Sequence, residues 1–177
     1  MTIDIIMEKK ANALKRRIRT MIWITIVGLT LSGITAFLLE TEIGWLLLYD
    51  MSYPEVLSEW LRLTHAAIKD TNTHYPYLSY GTDWLAFAHL MLAVLFVGPL
   101  RDPLKNIWVI EFGMIACIAI VPLALIAGPI RQIPFFWRLI DCAFGVLAIV
   151  PLWICYDSCR SLGRLKSDIP NEESYFL

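Results

Sequence analysis

Apolar residues along the chain gather into four long runs, approximately Met21–Leu39, Trp84–Leu100, Ile107–Ala127 and Phe135–Tyr156. Crossing roughly 30 Å of hydrocarbon takes about 20 helical residues, so each run is long enough to span. A helix satisfies its own backbone hydrogen bonds, which a lipid-exposed segment must do. The pattern therefore predicts an all-α integral membrane protein with four transmembrane helices in a single membrane domain. A basic stretch before the first run resembles the start of a signal peptide, but Ile34-Thr35-Ala36 places a large residue at the −3 position of any cleavage site. An uncleaved helix is expected.

Between the first two runs, Glu40–Thr82 is the longest stretch outside the spans. Ser52, Pro54 and Glu55 have the pattern of an N-cap, a first-turn proline and a capping-box acid. Val56, Leu57, Trp60, Leu61, Leu63, Ala67 and Ile68 then follow at helical spacing opposite Glu59, Arg62, His65 and Lys69. The periodicity predicts an amphipathic helix over about residues 53–69 in this loop, lying on the membrane or capping the bundle. Ile43–Tyr49 is apolar but too short to span, and is placed at the interface or as a continuation of helix 1.

The other connections are tight. Gly98-Pro99 is expected to end helix 2, Asp102-Pro103 to start helix 3, Gly128-Pro129 to end it and Pro134 to open helix 4. Links this short predict an antiparallel bundle. Pro122 and Pro151 inside helices 3 and 4 predict kinks, and Gly28, Ser32, Gly33 and Thr35 favour close packing of helix 1. A mobile polar tail is expected from Ser167 onward.

Composition agrees with the pattern: 58% of the 177 residues are hydrophobic and the mean hydropathy is +0.60. The net charge of −1 gives no reason to expect a nucleic-acid partner. Placement of charge says more. Lys9, Lys10, Lys15, Arg16, Arg17 and Arg19 precede helix 1, Arg101 and Lys105 separate helices 2 and 3, and Arg160, Arg164 and Lys166 follow helix 4. Only Arg62, Lys69, Arg131 and Arg138 fall toward the other side. The positive-inside rule then puts both termini in the cytoplasm, with the 40–82 loop outside. Trp23, Trp108, Trp153 and Tyr156 form the inner aromatic level, and Trp45, Trp84 and Trp137 the outer. Residues 1–20 read as a basic interfacial segment on anionic lipid, and a bacterial inner membrane is the expected location.

Ionisable groups within spans are costly and so are candidate sites. Helical rise puts His89 about 9 Å, Arg138 about 6 Å and Asp141 about 10 Å below the outer ends of their helices. These three, beneath Tyr75, Tyr77 and Tyr80, could hold a lipid headgroup, a quinone or another cofactor, with His89, Arg138, Asp141 and Tyr80 as its contacts. The same residues also have structural readings: Arg138 paired with Asp141 at i, i+3, and His89 bonded across helices. Asp83 suits the helix dipole of a first turn, and Glu111 suits an ion pair with Arg101 or a helix 1 cation. His65 and His74 do not form a metal pair with His89, and His65 on a polar face is expected to be solvated. Cys117, Cys142, Cys155 and Cys159 contain no CxxC and read as small buried packing groups.

No nucleotide-binding or zinc-protease pattern occurs, and the sequence identifies no cofactor. The leading expectation is a non-enzymatic structural or accessory membrane component, oligomeric or part of a larger membrane complex and surrounded by lipid. A lipid-, quinone- or cofactor-binding protein, or an enzyme built on such a site, is the alternative. An oligomeric transporter using Glu111 and the proline kinks is the third reading.

Overall fold

The computed structural model describes residues 2–49 and 53–167, and among these the chain is helical apart from short turns. The helices are α1 (Thr2–Phe37), α2 (Leu39–Leu48), α3 (Glu55–His74), α4 (Pro76–Leu95), α5 (Val97–Arg101), α6 (Ile107–Ile130) and α7 (Phe135–Ser167). The expected cap at Ser52 and the polar tail after Ser167 lie outside the described residues. Four helical stretches are long and apolar enough to cross a membrane: Ile5–Phe37, Pro76–Arg101, Ile107–Ile130 and Phe135–Ser167.

Several boundaries differ from those the hydropathy suggests. The second span starts at Pro76, well before Trp84, because a few Ser, Thr and Gly residues lower hydropathy without preventing a helix. Edge-on rings of Tyr80, Trp84 and Phe87, at 6.0 Å centroid spacing, reinforce this turn of α4. Nor does Gly98-Pro99 end the helix. The break comes one turn earlier, at Phe96, and Pro99 sits in the first turn of α5, where no intrahelical donor is required. Asp102 caps a turn instead of a helix: its carboxylate accepts the Lys105 N–H at 3.2 Å, and α6 starts only at Ile107. Pro54 immediately precedes α3 and lies outside its first turn.

The chain divides into two compact units, one of Met1–Ile26 with Val94–Leu177 and one of Val27–Ala93. In the first, α6 and α7 pack along each other through small residues. The Cys117 carbonyl oxygen would lie 2.6 Å from a Cβ on Gly145, and Phe96 and Leu152 crowd Gly113 at 2.9 and 3.0 Å. The turn between the two helices closes in a Schellman pattern: Ile133 N–H donates to the Gly128 carbonyl at 2.9 Å and Gln132 N–H to that of Pro129 at 3.1 Å. Gln132 takes the left-handed conformation, φ 58°, that this motif requires. Helix α6 therefore runs past Gly128-Pro129. Pro134 then accepts the N–H groups of Trp137 and Arg138, starting α7.

The buried side chains of this unit gather at its basic end. Ile18, Ile22, Phe96, Pro99, Val109, Ile110, Leu152, Cys155, Ser158, Cys159 and Leu162 are each 3% exposed or less. The Cys155 thiol lies 4.0 Å from the Ile18 carbonyl oxygen, which ties α7 to α1. Cys117, Cys155 and Cys159 are buried and Cys142 is half-buried.

In the second unit, a Cβ on Gly33 of α1 would come within 2.9 Å of the Ala86 carbonyl oxygen and of the Leu90 side chain of α4, so only a glycine allows this close approach of the two helices. Gly28 has open space beside it. Helices α2 and α3 pack together around Ile43, Ser58 and Leu61. The amphipathic face of α3 is only partly covered: Leu61 is buried, whereas Val56 and Leu63 are exposed.

Candidate functional site

The chemistry of the second unit centres on Asn72. Its amide Nδ2 donates to Glu40 Oε2 at 2.5 Å, and the Ser79 hydroxyl donates to its Oδ1. One amide thus joins the first turn of α2, the last turns of α3 and the first turn of α4, in a half-buried setting where each bond is stronger than in water. Sequence reasoning missed this triad. The three residues are far apart along the chain and belong to no motif, and the only signal was a polar residue on α3 close to where α4 begins. His65 also departs from expectation: it is half-buried, with Nε2 facing Gly44 of α2, where a Cβ would come within 3.3 Å. The missing side chain at Gly44 admits the imidazole. His74 pairs with Asp70 on its own helix at 2.9 Å.

His89 bonds within α4 and not across helices: its Nδ1–H donates to the Leu85 carbonyl at 2.8 Å. Tyr80 is nine residues before His89 on the same helix, about 13 Å along the axis and half a revolution round it. The two therefore face opposite ways, and Tyr80 is exposed with its ring against Trp84.

Arg138 and Asp141 belong to the first unit. The expected ion pair between them is not formed. Instead the Arg138 side chain runs across Gly128 of α6, in space that a Cβ there would fill, and its guanidinium sits 5.2 Å from the Phe135 ring centroid. Packing against α6 and a cation–π contact have drawn the arginine away from the carboxylate. Its Nε is buried without a hydrogen-bond partner among the described residues, and Asp141 is half-buried one turn further along. Glu111 is half-buried on α6 and makes no ion pair with a described residue. Among the described residues no group of three or more His, Cys, Asp or Glu side chains is placed to hold a metal ion.

No protein-family model matches the sequence, and comparisons with curated proteins and with solved structures give no match.

Proposed function

We propose that the chain is an accessory component of a bacterial inner membrane: an antiparallel four-helix bundle, without catalytic chemistry of its own, that assembles with copies of itself or within a larger membrane complex. The observation that supports this is how little of each span is covered. Between 11% and 28% of the residues in the four apolar windows are buried, and bulky side chains such as Trp23, Leu31, Phe87, Phe112, Ile126, Phe144 and Trp153 are exposed along all of them. Lipid covers such surface, but lipid supplies no hydrophobic drive between helices; shape-matched helices from another subunit gain van der Waals contact there.

After extraction in mild detergent, native mass spectrometry should show a multiple of the protomer or a co-purifying membrane protein. A solitary protomer at every protein-to-detergent ratio would end this reading. The distribution of basic residues supports cytoplasmic termini. A fluorescent-protein fusion at the C-terminus, which matures only in the cytoplasm, should fluoresce, and an alkaline phosphatase fusion at the same position should be inactive. The reverse pattern inverts the topology.

The unpartnered Nε of Arg138 favours a second reading, in which a small molecule with an acceptor oxygen, such as a lipid phosphate or a quinone carbonyl, binds beside Arg138 and Asp141. His89 and Tyr80 belong to the other compact unit, and this reading rests on Arg138 and Asp141 alone. The same spectra decide: a bound small molecule lost in Arg138→Gln supports this reading, and an unliganded chain opposes it.

A further inference from the structure

The basic residues of α1 are not spread evenly round the helix. Lys15 and Arg19 lie on one stripe with Ile18 and Ile22, at spacings of three, four and seven. Ile18 and Ile22 are 2% and 1% exposed, so this stripe faces protein. What it faces, within the same unit, is the turn that leaves α5 and the last turns of α7. A cavity of about 360 Å³ opens between the three elements. Arg101 lines it from the end of α5 and Lys166 from α7, so four exposed basic residues surround one opening.

One carboxylate, Asp102, also lines the cavity, but it is already held by Lys105, through the backbone N–H at 3.2 Å and the ammonium at 3.7 Å. None of the four cations forms an ion pair or hydrogen bond with a described residue. The walls below them are apolar, with Ile22, Pro99 and Leu162 among them. Four basic residues outnumber the single carboxylate of the lining, and like charges held near one another repel; the basic rim over an apolar wall matches a ligand with an anionic head and a hydrocarbon tail.

We propose that this cavity is a binding site for the phosphate headgroup of an anionic phospholipid, with Lys15, Arg19, Arg101 and Lys166 around the phosphate and the acyl chains against the apolar wall. The site lies at the opposite end of α6 from Arg138. It is independent of the accessory role proposed above, because it needs no second protein.

The test uses the full chain in a neutral detergent with short-chain phosphatidylglycerol, short-chain phosphatidylcholine and inorganic phosphate as separate probes, read by native mass spectrometry. Phosphatidylglycerol should bind, more weakly as salt rises, and phosphatidylcholine should not compete. Arg19→Gln with Arg101→Gln should weaken binding about fivefold for each cation removed. Arg131→Gln, a cation at the far end of α6, should leave it unchanged. Binding that is indifferent to salt in the unmodified chain, or to the double substitution, overturns the site. Inorganic phosphate that binds where the lipid does not overturns the lipid assignment. Because the salt titration uses the unmodified chain, the result does not depend on the variants folding.

Discussion

Gly145→Ala is expected to lower the unfolding midpoint of the detergent-solubilised chain by roughly 5–10 °C, the equivalent of about 2–3 kcal/mol. The added methyl would meet the Cys117 carbonyl oxygen at 2.6 Å, and that oxygen belongs to helix backbone that cannot rotate away. Helices α6 and α7 must separate, and contacts along both are weakened. Gly128→Ala creates a nominally closer clash, but with the Arg138 side chain, which can swing aside at the loss of its Phe135 contact; about 1 kcal/mol is expected there. Gly28→Ala, with nothing within 4 Å, should be neutral or slightly stabilising. A thiol-reactive fluorogenic dye reads the opening of the first unit, in which Cys117, Cys155 and Cys159 are buried, and Gly28→Ala in the other unit serves as the control. If Gly145→Ala melts no lower than Gly28→Ala, the close packing of α6 on α7 is wrong.

The second large effect belongs to the other unit and needs another probe, because all four cysteines lie outside it. Asn72→Leu removes both arms of the Glu40–Asn72–Ser79 triad and leaves a half-buried carboxylate without its donor. Hydrogen bonds to charged groups contribute about 1.5–3 kcal/mol each, so a local loss of about 2–3 kcal/mol is expected. Lys69 is exposed on α3 but helical, and trypsin cuts a helix only after local opening. Cleavage after Lys69 should therefore accelerate by about thirtyfold or more, with a smaller rise for Ser79→Ala, which removes one neutral bond. Asn72→Asp should be at least as damaging, since it sets a second carboxylate against Glu40. An unchanged cleavage rate in Asn72→Leu would remove the triad from the account.

The four long apolar helices were legible in the sequence because hydropathy summed over 20 residues averages out local exceptions. Their ends were not, because ends are set by single residues in tertiary context. Pro99 reads as a stop in one dimension but fits the first turn of α5. The tyrosine-rich stretch before Trp84 reads as a loop, yet it carries the ring stack that extends α4. At the candidate site, direction round each helix was not legible, and the depth of about 9 Å for His89 assumed a helix end near Asp83 whereas α4 starts at Pro76. His89 and Tyr80 face opposite sides of one helix, and Arg138 ignores Asp141 because Gly128, ten residues earlier, leaves room for it. The basic cavity was half legible: the 15, 18, 19, 22 stripe is in the sequence, but its meeting with residues 99–104 and 162–166 is not.

The length of α7 has a consequence for how the fold is held together. Thirty-three residues extend about 50 Å, well beyond the hydrocarbon thickness, and Ser158, Cys159 and Leu162 are in the part that follows the apolar run. Together with Ile18 they are each 2% exposed or less, so part of the buried core of this unit lies outside the apolar runs, where contact with water would bring the hydrophobic effect into play. Urea added to intact proteoliposomes should weaken this contact while the apolar helices, still embedded, remain helical.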